Sequence, residues 1–189
     1  MNCTGSEWTP LDWRRPRLRM RMIMLSTVLC FTLILKFGLA EVNLSSRARA
    51  TQSSVYDFHS DPIHAVDGNT DSNWGRSSCT ATGNDLNPWW RADLHKSQEI
   101  NSIRITNRGD CCPERLNGAQ IRIGDSLDNN GNNNPICATI KSIAAGKAET
   151  FECGGMHGRY VNVIIPGRNE YLTLCEVEIY ATERGQIDC

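Results

Sequence analysis

The chain has 189 residues, with 20 Lys and Arg against 21 Asp and Glu, a formal net charge of −1, and nine cysteines. That balance weakens any nucleic-acid reading, which needs a basic face. So many cysteines in so short a chain point to an exported, disulfide-bonded protein.

The first 40 residues read as a leader. Arg14, Arg15, Arg17, Arg19 and Arg21 precede the apolar run "MIMLSTVLCFTLIL" (22–35), and Gly38 and Ala40 stand at cleavage-like spacing. This is the pattern of a secretory signal peptide cut near Ala40–Glu41. An uncleaved anchor is the rival, but the run is shorter than the ~20 residues a bilayer span needs. Six of the basic and two of the acidic residues lie in the leader, leaving 14 against 19 and a net −5. Residues 41–189 are then long enough for one domain with its own core. The domain opens with an N-glycosylation sequon, Asn43-Leu44-Ser45, at an end expected to be exposed.

Next comes "HAVDGNTDSNWGRSSC" (64–79), in which Asp67, Asn69, Asp71 and Asn73 recur at every second position. The spacing suggests an oxygen-ligand calcium loop. It is not an EF-hand, since Ser72 and Ser78 stand where that loop needs Gly and a bidentate Glu. On spacing alone, a run of Asx turns without metal fits better.

The chain then turns to short alternating runs, the mark of strands. In "NPWWRADL" Pro88 marks the entry, and one of Trp89 and Trp90 should face the core. Ile103 and Ile105 share one face of "SIRITNR", Ile121 and Ile123 one face of "AQIRIG". Val161, Val163 and Ile165 alternate in "RYVNVIIP", and "LCEVEIYA" sets Cys175, Val177 and Ile179 against Glu176, Glu178 and Tyr180. Polar segments such as "DSLDNNGNNNP" (125–135) favour turns between them. Short strands joined by polar loops imply an all-β, antiparallel jelly-roll β-sandwich with disulfide-tied loops.

Between two of these strands sits "TNRGDCCPERLNG" (106–118). Arg108 and Arg115 flank adjacent cysteines, Cys111 and Cys112, with Asp110 close enough to orient an arginine. A guanidinium fork binds carboxylates, phosphates or neighbouring sugar hydroxyls. A vicinal disulfide would add a compact apolar face, and a sugar ring presents both C–H faces and hydroxyl edges. The alternative is that the arginines pair with Asp110 or Glu114 on the surface while the cysteines bridge elsewhere. Arg108-Gly109-Asp110 also spells a tripeptide read by adhesion receptors. Six of the seven cysteines beyond the leader allow 15 pairings, and Cys189, the last residue, is a candidate intermolecular linker. His59, His64, His95 and His157 stand in no metal-protease or triad motif, and no Gly-rich phosphate loop follows a strand, so nothing here argues for an enzyme.

Taken in order, "ARATQSS", "AVDGNTDSNW", "NPWWRADL", "ITNRGDCCPERLNGAQIRIG", "GRYVNVIIPG" and "LCEVEIYA" resemble the F-type lectins, or fucolectins, whose fold is similar to the discoidin domains. The resemblance runs from about residue 42 to 181. It implies a jelly-roll domain that binds terminal fucose on cell-surface glycans in a shallow loop pocket. Arg108 and Arg115 would donate to the sugar oxygens, a Cys111–Cys112 disulfide would pack on its carbon face, and Trp74 would line the methyl pocket. A structural Ca2+ would take side-chain oxygens of Asp67, Asn69, Ser78 and Glu176 and backbone oxygens of His64 and Cys175. Bridges Cys79–Cys175 and Cys137–Cys153 are implied as well. The family's pocket histidine is replaced by Ala81, and His59 in the preceding loop is the candidate substitute. Secretion, a homo-oligomer, and a role in agglutination or innate defence complete the implied picture. The runner-up is a lectin-fold adhesion protein with a lost or retuned sugar site.

Overall fold

The computed structural model describes residues 41–182; the expected leader with Cys3 and Cys30, and residues 183–189 with Cys189, lie outside the described residues. Eleven strands occur among them: β1 (Glu41–Asn43), β2 (Arg49–Gln52), β3 (Thr80–Ala81), β4 (Asp85–Leu86), β5 (Trp89–Thr106), β6 (Gln120–Gly124), β7 (Ile136–Thr139), β8 (Ala148–Ile164), β9 (Asn169–Glu170), β10 (Thr173–Leu174) and β11 (Glu176–Thr182). No α-helix interrupts the described residues, only short 3-10 turns such as Pro113–Leu116.

The long antiparallel pair β5 and β8 is the frame. The first part of β5 lies between β2 and the end of β8, with Ala92 opposite both Ala50 and Val161. Its last part lies between β11 and the start of β8, with Ile103 opposite both Ile179 and Phe151. Strands β6 and β7 extend one edge, and β1 extends the other. Register breaks between Asp93 and Gln98, and again between Ile100 and Ser102. Across those breaks the buried set moves from Trp90, Ala92 and Leu94 to Ile103 and Ile105, from even to odd positions. Bulges of this kind let one strand serve both layers of a sandwich and aim each part at the same core.

The bend is held by Asp93. Its Oδ1 accepts the backbone N–H of His95 at 2.8 Å, and its carboxylate takes the Arg159 fork at 2.7 and 2.8 Å. Those hydrogen bonds, the Arg159 pair above all, hold the Asp93 carboxyl below its usual range.

The core matches the alternation in the sequence. Trp90, Ile103, Ile105, Ile121, Ile123, Val161, Val163, Ile165, Val177 and Ile179 are all fully buried. Trp90 is the inward member of its pair, and its indole N–H donates to the Pro62 carbonyl. Among the positions that alternation assigns to the solvent face, Asn162 and Glu176 are polar and buried instead. Asn162 is covered by the Asn-rich loop and donates to Asn130 O and Asn132 Oδ1, while Glu176 is only 1% exposed.

All three implied disulfides are formed: Cys79–Cys175, Cys111–Cys112 and Cys137–Cys153. The sequon is not the exposed end expected. Ser45 is buried, and the Asn43 side-chain oxygen accepts from the Ser45 N–H, the Ser45 hydroxyl and the Ile179 N–H. Pairing of β1 with β11 draws the sequon into the sheet edge.

Candidate functional site

The folded-over frame brings distant loops to one end. The segment after β2, the one before β3, the one after β5 and the one between β9 and β10 meet around a cleft of about 280 Å³. Its walls are Tyr56, Trp74, Ala81, Arg108, Cys111, Arg115 and Tyr171. Four were expected there from sequence: Trp74, Arg108, Cys111 and Arg115. A cleft of similar size at the β1–β11 edge, between Val42, Arg47, Gln98 and Thr182, lacks a comparable pairing of aromatics and guanidiniums.

Each arginine is fixed twice. The Arg108 fork donates to Asp110 at 3.0 and 2.6 Å, and its guanidinium lies 4.9 Å from the centre of the Trp74 ring. Arg115 pairs with Glu170 at 3.6 Å and lies 4.7 Å from the centre of the Tyr171 ring. Stacking on an aromatic face and pairing with a carboxylate hold a guanidinium in orientation without consuming all five of its donors. Arg108 above all pulls the Asp110 carboxyl below its usual range, so the pair stays charged in ordinary buffers. Asp110 Oδ1 also accepts the Trp74 backbone N–H at 2.9 Å, which locks the two loops together. On the far wall Arg168 donates to the carbonyls of Arg115 and Asn117, bracing the turn that carries Arg115.

The cysteine pair sits between these arginines in sequence. Cys112 has a left-handed backbone, φ 56°, and turns the chain into Pro113–Leu116. Cys111 lines the cleft and Cys112 does not.

One expectation changes. His59 does not line the cleft. Its N–H is held by Asp57 and its ring nitrogen by the Ser77 hydroxyl at 2.6 Å, while its ring packs on Phe58. That fixes the imidazole beside Trp74, ring centres 6.3 Å apart, rather than in the opening. In the Arg108-Gly109-Asp110 tripeptide the two charged side chains pair with each other, at 2.6 Å. Tyr56, Tyr171 and Glu170 are the site residues that sequence reasoning missed.

The calcium expectation concerns the loop that carries Trp74. Its alternating Asx residues form a ladder: Asp67, Asn69, Asp71 and Asn73 each accept the backbone N–H two residues on, at 2.8 to 3.1 Å. The turn chemistry and the candidate ligands therefore coexist. The Cys79–Cys175 bridge joins the sequence neighbours of Ser78 and Glu176. Glu176 is the anomaly. It is buried, and neither carboxylate oxygen has a hydrogen-bond partner. Burial, then repulsion from Asp67, pushes its carboxyl up to about 7, and the nearby Gly68 amide offsets this only in part. An unpaired buried carboxylate beside a second one is an arrangement that a cation would stabilise. Asp67, close enough to repel Glu176, is a second hard oxygen donor of the type that suits calcium.

The two loops touch at Gly109. Its N–H donates to the Ser72 carbonyl at 2.7 Å. A Cβ at Gly109 would stand 2.5 Å from the Ser72 hydroxyl and 3.2 Å from the Gly146 Cα. Gly109→Ala is therefore expected to lower stability by about 1–3 kcal/mol, read as a lower urea midpoint. An unchanged midpoint would show that the loops part without cost.

Residues 64–163 match a family model described as a NedA-like, galactose-binding domain. Fucolectin-5 of Anguilla japonica is 45% identical over 177 residues, which cover 87% of this chain and 93% of that protein. A serum f-lectin (fucolectin) from Morone saxatilis superposes with a TM-score of 0.72 at 55% identity over 75% of this chain, which spans about half, 47%, of that lectin chain. A Streptococcus pneumoniae fucose binding module superposes with a TM-score of 0.64 at 30% identity, over 74% of this chain and 98% of the module.

Proposed function

This chain belongs to the fucolectin, or F-type lectin, family, and from that premise we propose that it is a secreted lectin that binds terminal fucose on glycans and catalyses nothing. The observation that carries the reading is the pair of guanidiniums in one cleft, each fixed by a carboxylate and laid on an aromatic ring. Donors held in place before the sugar arrives lose little freedom when it binds. Arg108 and Arg115 donate to the sugar's oxygens. Cys111 and the Trp74 ring offer apolar surface to its carbon face and methyl group.

Calcium completes the fold in this proposal. Asp67, Asn69, Ser78 and Glu176 would hold it with side-chain oxygens, and His64 and Cys175 with backbone carbonyls. Bound there, the cation would neutralise the unpaired Glu176 carboxylate and its neighbour Asp67. The same loop delivers Trp74 to the cleft, so the metal acts on sugar binding through positioning alone. A single open cleft binds weakly, and useful avidity requires several clefts in one assembly. A homo-oligomer acting in agglutination or defence fits that requirement. An adhesion role through the Arg108-Gly109-Asp110 tripeptide is disfavoured by its internal ion pair.

Titration calorimetry with L-fucose tests the proposal. Wild type in calcium is expected to bind one sugar per cleft, and chelation to weaken it. Ala81 lies on the cleft wall and is 3% exposed. Ala81→His adds a polar group there and is expected to tighten binding by about 3- to 10-fold. If only the histidine variant binds, the fold is a lectin's but fucose is not its ligand.

A further inference from the structure

The cleft is rich in donors and poor in acceptors. A sugar hydroxyl both donates and accepts, so a wall that only donates leaves its proton unpaired, and an unmade hydrogen bond costs more than a made one contributes. Arg108 and Arg115 donate only, and Trp74, Ala81 and the half-cystine Cys111 carry no strong side-chain acceptor. The two carboxylates that brace the arginines are already engaged. Asp110 accepts from the Arg108 fork and the Trp74 N–H. Glu170 accepts the Tyr171 N–H and pairs with Arg115 and Arg168. The wall's backbone carbonyls are largely occupied too. Those of Trp74, Ala81, Arg108 and Arg115 accept from Ser77, Tyr56, Gly146 and Arg168 respectively.

Two groups remain. Tyr56 and Tyr171 line the cleft with their rings edge to face, centres 5.6 Å apart. Tyr56 is 54% exposed, and among the described residues neither phenol hydroxyl takes part in an intramolecular hydrogen bond. Each ring is nonetheless fixed. Tyr56 packs edge-on against Trp74, and its N–H is held by the Ala81 carbonyl. Tyr171 lies under the Arg115 guanidinium, with its N–H held by Glu170.

We propose that the Tyr56 and Tyr171 hydroxyls are the acceptors for the sugar's hydroxyl protons and so decide which hydroxyl pattern the cleft accepts. This rests on the sugar-binding reading above and adds to it the groups that set specificity. The arginines supply affinity for any oxygen-rich face. The phenol hydroxyls, able to both accept and donate, read the positions of the hydroxyls. Tyr171 stands beside Arg115, so one sugar oxygen can accept from the guanidinium while its proton goes to the phenol.

The test removes each hydroxyl and keeps each ring. Tyr56→Phe and Tyr171→Phe are titrated, in saturating calcium, with L-fucose and its monodeoxy analogues. Melting curves check that both variants fold. At least one Phe variant is expected to bind fucose about 3- to 10-fold more weakly. The same variant should lose wild type's preference for fucose over one particular deoxy analogue, because the partner of that hydroxyl has gone. If both Phe variants match wild type across the panel while wild type binds fucose, this assignment is overturned and the sugar-binding reading stands. If wild type binds neither fucose nor any analogue, both fall.

Discussion

Removing calcium is expected to destabilise the domain at pH 8 and hardly at all near pH 4.5. The reason is Glu176, buried and unpartnered, with its carboxyl pushed up to about 7 from an ordinary value of 4.5. With no metal, the unfolded chain releases this proton at a lower pH than the folded one. Stability is therefore intact below pH 4.5 and falls as pH rises, until above pH 7 about 3 kcal/mol has been lost. The calcium proposed above would hold Glu176 as the carboxylate and remove that penalty. The gap between melting temperatures in calcium and in chelator should accordingly open between pH 4.5 and 7 and stay open above. Glu176→Gln sharpens the expectation, because the two conditions should reverse its rank. In chelator at pH 8 the variant should melt above wild type, having no charge to bury. In calcium it should melt below wild type, having lost a ligand. Identical wild-type melting with and without calcium at pH 8 would rule out the metal.

Glu176 also shows where the sequence stops being legible. The alternation in "LCEVEIYA" assigns it correctly to the face opposite Val177 and Ile179, but periodicity cannot say that another loop covers that face. Asn162 is hidden in the same way by the 125–135 loop. The strands themselves were readable because a one-residue slip would move a whole apolar set to the wrong face. The phase change inside β5, from Trp90 and Ala92 to Ile103 and Ile105, was not. It depends on bulges at positions whose composition is ordinary.

The site divides along the same line. Arg108, Cys111 and Arg115 were visible because one loop carries all three. Tyr56 and Tyr171 come from segments with no period and no motif, "VYDFH" and "NEYLT", and only the topology brings them to the cleft. His59 was misplaced because the chain distance to the cleft is short, while the direction of its ring is set by Asp57 and Ser77.

Arg108→Ala is expected to abolish measurable fucose binding while leaving the fold intact. Three losses coincide at this residue. A charged donor to the sugar goes, worth about 1.5–3 kcal/mol, or roughly 10- to 150-fold in affinity. The guanidinium over the Trp74 ring goes with it, and the apolar wall loses a neighbour 4.9 Å away. Asp110 is then left without its fork, and its remaining hydrogen bond to the Trp74 N–H no longer has a rigid anchor. A weak binding site cannot absorb that sum. The cost to stability should stay small, since partly exposed ion pairs contribute only about 0–1 kcal/mol. Arg108→Lys should fail to rescue binding, because an ammonium cannot span both oxygens of Asp110 and still face the sugar. Arg76→Ala is the control. Arg76 pairs with Asp71 in the neighbouring loop, its side chain is 71% exposed, and it lies off the cleft wall. Its loss should leave fucose affinity unchanged. If Arg108→Lys binds like wild type, a positive charge alone is enough, and the fixed fork is not what holds the sugar.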